Sequence, residues 1–250
     1  MARIDEIAPN VFRISIYVPD FGMQFNQFLL KDAEPLLFAT GFKAFFPEMQ
    51  EAVARLIDPS ELRWIGFSHF ESDECGALNQ WLEIAPQSQA VTGLVSGMVN
   101  INDFADRPAH VLQNEDVLNI GKKKLRYIST PHVPHGWDAG LFFEESDRTL
   151  LTSDLFHHNG DTEPLTKESL AERARGALLE FEEGPLAGYV PYNQKTDRIL
   201  QNLSELDPST LAIMHGSSFY GNGKKEILNL REVWKSVMEE SYNQSQFNNH

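Results

Sequence analysis

Apolar and polar positions alternate along the first forty residues, and turn residues interrupt them. This alternation predicts strands at Val11–Val18 and at residues 25–30 and 35–39, separated by Pro, Gly and Asp. Three short strands joined by such turns indicate an antiparallel meander at the start of the chain.

Helical and strand periods alternate after the meander. The predicted helices cover residues 47–57, 73–85, 165–182, 196–206 and 225–239, and the predicted strands cover residues 64–67, 90–93, 122–129, 140–144, 149–153 and 211–214; residues 94–104 fit a short helix or a loop. Two blocks of strands, each followed by helices, predict an α/β (α+β) fold, a four-layer αββα sandwich. A doubly wound parallel sheet is the alternative, although the early meander is hard to fit to it. We expect one domain over residues 1–240 and a disordered polar tail at residues 241–250.

The charge and the cysteine content restrict the partners and the compartment. A formal net charge of −15 argues against binding to nucleic acid or to an anionic membrane, because phosphates would be repelled. Cys75 is the single cysteine, so an internal disulfide is impossible. The acidic amino terminus does not resemble a signal peptide, and we expect a soluble, cytoplasmic protein.

One imidazole and three carboxylates follow the predicted strand at residues 64–67. They belong to the stretch Ser-His-Phe-Glu-Ser-Asp-Glu-Cys-Gly, in which His69, Glu71 and Asp73 alternate with other residues. Alternate side chains of an extended segment project to one side, so these three can face a common point. Ligand-type residues in this pattern indicate a metal site, and a solvated loop is the alternative.

Other predicted strands also end in ligand-type side chains. His132 and His135 follow the strand at residues 122–129, Asp154 follows the strand at 149–153, and His215 follows the strand at 211–214. Taken singly, each has an ordinary explanation, as a loop residue, a turn former or a hydrogen-bonded core imidazole. Loops at one rim of a scaffold are the usual place for binding and catalysis, which favours a shared site.

The order of these residues resembles the metallo-β-lactamase-like domain of flavodiiron proteins. Eighteen residues separate His135 from Asp154 and sixty separate Asp154 from His215, in agreement with that family. The stretches Asn-Asp-Phe-Ala-Asp-Arg and Thr-Pro-His-Val-Pro-His-Gly-Trp-Asp more closely resemble the flavodoxin-less oxygen-binding diiron proteins, a group implicated in oxygen sensing. The resemblance covers residues 14–221.

The resemblance implies two metal ions with a shared carboxylate. One ion would be held by His69, Glu71, His135 and Asp154, and the other by Asp73, Asp154 and His215. Related hydrolases usually carry His where Glu71 stands, and typical flavodiiron proteins carry His where Glu74 stands. Glu74 is therefore a second-metal ligand, a base near the metals or a surface helix residue. His132 competes with His135 as a ligand, and the spacing to Asp154 favours His135.

Carboxylate-rich sites suit iron or manganese better than zinc, so we expect two iron ions, with Mn or Zn as alternatives. Only thirty-five residues follow His215, too few for a flavodoxin domain, so we expect no flavin on this chain. Electrons would then come from a separate donor protein. This expectation favours an O2-binding sensor or redox protein, with a signalling partner and a homodimer as further expectations.

Two other functions fit the same residues. A dinuclear metal-dependent hydrolase would activate water against phosphodiesters or other esters, and a binding module would use the metal only for folding. Whether the chain is an enzyme stays open; if so, an O2 or NO reductase is favoured. Tyr192 and Tyr220 are candidate hydroxyl donors near the metals. Aromatic or imidazole candidates for the surroundings of the site are Phe70, Trp137, His157 and His158.

Overall fold

The computed structural model describes the backbone of residues 1–247 and the side chains of residues 1–238. Its first sheet has seven strands in chain order. These are β1 (Arg3–Ala8), β2 (Val11–Val18), β3 (Met23–Leu30), β4 (Leu36–Phe38), β5 (Trp64–Gly66), β6 (Gln89–Gly93) and β7 (His110–Leu112). Neighbours from β1 to β4 are antiparallel, which confirms the predicted meander, and neighbours from β4 to β7 are parallel.

The second sheet also has seven strands. These are β8 (Val117–Asn119), β9 (Lys124–Ser129), β10 (Gly140–Glu144), β11 (Thr149–Ser153), β12 (Leu165–Thr166), β13 (Thr210–Ile213) and β14 (Ser218–Tyr220). Their order is β12-β14-β13-β11-β10-β9-β8, with β11 and β13 parallel. Ser153 and Ile213 thus end neighbouring strands at the same edge of this sheet.

Helices cover the outer faces of both sheets. They are α1 (Phe46–Ala54), α2 (Ser72–Cys75), α3 (Leu78–Ile84), the short turns α4 (Leu94–Ser96) and α5 (Asn102–Phe104) on either side of a π-helix at Gly97–Ile101, α6 (Ala171–Glu182), α7 (Gln194–Glu205) and α8 (Gly223–Phe247). One buried cluster lies between the sheets and includes Phe38 and Phe142. Trp81 of α3 belongs to the cluster on the first sheet, and Trp234 of α8 to the cluster on the second. Helix, sheet, sheet and helix layers confirm the predicted αββα sandwich.

The predicted helix at residues 73–85 is divided into α2 and α3. Just after β4, Thr40 Oγ1 accepts from the N–H of Ala77 at 3.1 Å, and the carbonyl of Gly41 accepts from the same N–H at 3.2 Å. A Cβ on Gly76 would lie 2.2 Å from the carbonyl oxygen of Ser72. The break between α2 and α3 is thus held by contacts with residues distant in sequence, and helical periodicity alone does not reveal it.

Strands β1, β7, β8, β12 and β14 were not predicted as strands. Four of them have two or three residues, too few for alternation to be recognised, and β1 is rich in polar residues. Helix α8 continues to Phe247 and so includes residues 241–247, where disorder was predicted; residues 248–250 lie outside the described residues. Extending an existing helix costs less free energy than starting a new one, so a polar segment can continue a helix that has already formed. Within residues 1–247, no helix is both long and apolar enough to cross a membrane.

Candidate metal centre

The loops that follow β5, β9, β11 and β13 meet at one edge of the sandwich. They carry His69, His135, Asp154 and His215, respectively. The N–H of Gly140, at the start of β10, donates to the carbonyl of Ser68 at 3.0 Å, which joins the two sheets beside His69. The sequence-predicted ligands therefore come together, although they belong to different sheets.

Four ligand-type side chains, including Asp154, form a compact group. One ligand atom from each of His69, Glu71, His135 and Asp154 lies within 4.8 Å of the others. Glu71 Oε2 is 2.9 Å from His69 Nε2 and 3.1 Å from His135 Nε2. His135 Nε2 is also 3.0 Å from Asp154 Oδ2. Two imidazoles and two carboxylates converge on one point, as the binding of a single ion requires.

A second group lies on the other side of the Asp154 carboxylate. His215 Nε2 is 3.1 Å from Asp154 Oδ1 and 3.3 Å from Asp73 Oδ2. The other ring nitrogen of His215, Nδ1, donates to the backbone carbonyl of Gln24 in β3 at 3.0 Å. That hydrogen bond fixes the tautomer and leaves Nε2 free to bind a metal, as in most metal-binding histidines.

The electrostatics favour positive charge at this point. Hydrogen bonds from His135 and His69 lower the pKa of Glu71 to about 2. Burial raises the pKa of Asp154, but the hydrogen bond from His135 and the positive charge of the nearby His215 outweigh burial and hold that pKa well below its usual range. Burial opposes charge on His135, yet Asp154 and Glu71 raise its pKa to about 10. The carboxylates thus keep protons on the imidazoles, and a metal ion would replace those protons.

Unsatisfied polar atoms support the fit of metal ions. Among the described residues, the buried Oδ1 atoms of Asp73 and Asp154 have no hydrogen-bond partner. A buried carboxylate oxygen without a donor is costly, and a bound cation is one explanation. The donor set of three imidazoles and three carboxylates fits two divalent ions bridged by Asp154.

The family model described as "ODP family beta lactamase" matches residues 23–216 of the chain. The chain belongs to this ODP family. Flavo-diiron protein FprA2 of Clostridium acetobutylicum is 24% identical over 226 residues, which are 84% of this chain and 56% of that protein. Rubredoxin-oxygen oxidoreductase of Megalodesulfovibrio gigas is 23% identical over 203 residues, 80% of this chain and 50% of that protein. The chain thus spans about half the length of these curated relatives.

Solved structures agree with the ODP assignment at the level of fold. Rubredoxin oxygen:oxidoreductase from Desulfovibrio gigas superposes with a TM-score of 0.77 at 19% identity, over 92% of this chain and 61% of that one. A metal-soaked Flv1 flavodiiron core from Synechocystis has a TM-score of 0.75 at 20% identity, over 94% of this chain and 61% of that one. The predicted metallo-β-lactamase-like, flavodiiron-type core is confirmed.

Glu74 is buried in this ODP-family chain, which excludes the surface alternative. Its Oε2 accepts from the N–H of Ser68 at 3.1 Å, and its Oε1 accepts from the hydroxyl of Ser153. Oε1 also lies 3.8 Å from His69 Nδ1, on the side of the ring opposite Glu71. Burial raises the pKa of Glu74 to about 7. Both carboxylate oxygens are already hydrogen-bonded, so the geometry favours a role in holding the His69 loop rather than metal binding.

The two tyrosines predicted near the metals lie elsewhere. The Tyr192 hydroxyl donates to Asp197 Oδ1 at 2.7 Å, at the start of α7, and Tyr220 is 46% exposed with Lys167 Nζ over its ring. The hydroxyl at the centre belongs instead to Tyr189, which donates to Asp154 Oδ2 at 3.0 Å. The sequence provides no signal for Tyr189, because it follows α6 in a loop whose path depends on helix packing.

His132 is exposed and its backbone, rather than its ring, is engaged, with the N–H donating to the carbonyl of Gly136 at 2.8 Å. His135 therefore takes the ligand position.

His158 is a core residue: its Nδ1 donates to the carbonyl of Phe156 at 2.8 Å, and its Nε2 accepts from the N–H of Ser217 at 2.9 Å. Those two bonds occupy both nitrogens, so His158 holds the loop after His215 instead of binding a metal.

The remaining aromatic candidates border the site. Phe70 and Trp137 are 40% and 56% exposed, and the Phe70 N–H donates to Asp138 Oδ2 at 3.1 Å. Asp138 therefore ties the loop that carries His69 to the loop that carries His135. The ring of His157 lies 4.8 Å from the ring of His215, beside the second ligand group.

Proposed function

We propose that this chain is a non-haem diiron protein that binds O2, or the chemically related diatomic NO, between its two metals. His69, Glu71, His135 and Asp154 would hold one iron, and a second would be held by Asp73, Asp154 and His215. When bound, the irons would supply the electrons for reduction of the ligand. The observation that carries the proposal is the position of Glu71. Its Oε2 lies 2.9 Å from His69 Nε2 and 3.1 Å from His135 Nε2, and His135 Nε2 in turn lies 3.0 Å from Asp154 Oδ2.

The ligand count supports iron rather than zinc. Three imidazoles and three carboxylates make a harder site than the histidine-rich and thiolate-rich sites that suit zinc. Three protein ligands on the second ion leave coordination positions open, as a small ligand requires. Two relatives are named rubredoxin-oxygen oxidoreductase and anaerobic nitric oxide reductase flavorubredoxin, which supports O2 and NO as the candidate ligands.

The residues around the irons would hold the ligands in place. Asp154 would be shared by the two irons; Tyr189 donates to its Oδ2, and the carbonyl of Gln24 fixes the ring of His215. Glu74 supports the His69 loop from inside. We also propose a separate protein as electron donor or signalling partner, and a homodimer as the assembly.

Anaerobic loading with Fe(II) followed by O2 tests the proposal. We expect a charge-transfer absorption band that appears on exposure to O2 and that is lost in Asp154→Asn. A chain that stays colourless, while the zinc-loaded form hydrolyses a phosphodiester, would overturn the proposal in favour of the hydrolase. The Tyr192→Phe variant is the control, since Tyr192 contacts Asp197 away from the centre.

A further inference from the structure

A small cavity adjoins the proposed metal centre on the side of helices α6 and α8. Its volume is about 20 Å³. Asp154, His157 and Tyr189 form its polar end, and Ala174, Ala177 and other apolar side chains form its walls. Space for about one water-sized molecule needs roughly 10–15 Å³, so the cavity has room for a single small molecule.

The polar end of the cavity connects directly to the ligand groups. Tyr189 donates to Asp154 Oδ2 at 3.0 Å, and its ring centre lies 4.4 Å from that of His135. The His157 ring lies 4.8 Å from the ring of His215. The cavity therefore reaches Asp154 itself, which belongs to both ligand groups.

Hydrogen bonds between side chains already engage polar groups at this end of the cavity. The Tyr189 hydroxyl is used by Asp154, and His157 Nε2 is paired with Asn159 Oδ1 at 3.1 Å. Within the described residues, Asp154 Oδ1 is the lining carboxylate oxygen without a hydrogen bond, and it faces the second metal position. A buried water typically makes about three hydrogen bonds, and apolar side chains form most of this lining, which favours an apolar occupant.

We propose that this cavity is a binding site for an uncharged apolar diatomic gas, which waits there before it reaches the metals. The identity of the gas rests on the proposed function, whereas the location of the binding site rests on the cavity itself. Apolar gases dissolve better among aliphatic and aromatic side chains than in water, for the same reason that such side chains are buried. The small side chains of Ala174 and Ala177 on α6 leave the space open.

Krypton, which is inert and similar in size to O2, tests the site without any reaction at the metals. Crystals of the protein as purified, pressurised with krypton, should show anomalous density between Ala177, Tyr189 and His157. The Ala177→Leu variant should lose that density because the added atoms fill the cavity. Gly176→Leu is the matched control, since a Cβ at Gly176 meets no atom within 4 Å. Thermal unfolding verifies that both variants are folded.

Kinetics supply the second measurement. In the iron-loaded protein, Ala177→Leu should slow O2 binding by about tenfold or more at unchanged iron content, because close-packed interiors leave no alternative space. Gly176→Leu should bind O2 at the original rate. Absence of krypton density in the wild type, or an unchanged O2 rate in Ala177→Leu, would overturn the inference. An iron-loaded chain inert to O2 would refute the proposed function instead, and krypton would still decide the cavity.

Discussion

The Tyr189 hydroxyl provides the sharpest test of the centre, because one atom is removed and a matched control exists. Tyr189→Phe deletes the donor to Asp154 Oδ2, a hydrogen bond of 3.0 Å to the bridging carboxylate. The ring stays and keeps its contacts with Phe181 and His135, at ring-centre distances of 5.4 and 4.4 Å. Tyr192→Phe also deletes a hydroxyl that donates to a carboxylate, Asp197, at 2.7 Å.

The size of the effect follows from the charge of the acceptor. A hydrogen bond to a charged group contributes about 1.5–3 kcal/mol to stability. Removal of a hydrogen bond that orients a metal ligand typically lowers metal affinity by about 10–100-fold. Tyr189→Phe should therefore weaken metal binding by about 10–100-fold, since Asp154 belongs to both ligand groups, whereas Tyr192→Phe should affect stability alone.

Competition with a coloured chelator measures both variants under the same conditions. Thermal unfolding of the metal-free proteins gives the stability of each variant and separates loss of fold from loss of ligand orientation. Equal metal affinities in Tyr189→Phe and Tyr192→Phe would refute the assignment of Tyr189 to the centre.

Three further predictions follow from the same geometry. Asp154→Ala should remove both metals, because Asp154 contacts both ligand groups; metal analysis that finds one retained ion per chain would disprove the bridge. Metal binding should weaken as pH falls, since the proton that the carboxylates hold on His135, with its pKa raised to about 10 against burial, must leave first. Chelator competition at pH 6 and 8, with calorimetry in two buffers to count released protons, checks this, and equal affinities contradict it. Asn26→Leu should destabilise the metal-free fold by about 1–3 kcal/mol, because its Nδ2 donates to the buried carbonyls of Ile213 and Gly216 at 2.8 Å; an unchanged denaturant midpoint would refute that role.

Local patterns were sufficient for the layers of this fold. Strand β2 was predicted with its observed bounds, and the αββα order followed from blocks of strands and helices. The break between α2 and α3 was not predictable, because it depends on Thr40 and Gly41, more than thirty residues away along the chain. Very short strands such as β7 and β12 exist because a neighbouring strand pairs with them, which no local pattern encodes.

The ligands were easier to predict than their surroundings. His69, Glu71 and Asp73 share one loop, so their chemistry is visible in the sequence, and a known family order linked them to His135, Asp154 and His215. Tyr189 was missed and Tyr192 chosen in its place because both are lone tyrosines in one loop before α7. The direction of each hydroxyl is set by the packing of α6 and α7, a tertiary property.

The central claim is that Asp154 joins two irons in one centre. Mössbauer spectroscopy of the chain loaded anaerobically with ⁵⁷Fe(II) and then exposed to O2 tests it most directly. The account predicts about two irons per chain in one magnetically coupled pair with a diamagnetic ground state. Isolated paramagnetic ferric ions, or a chain that retains a single iron, would contradict it.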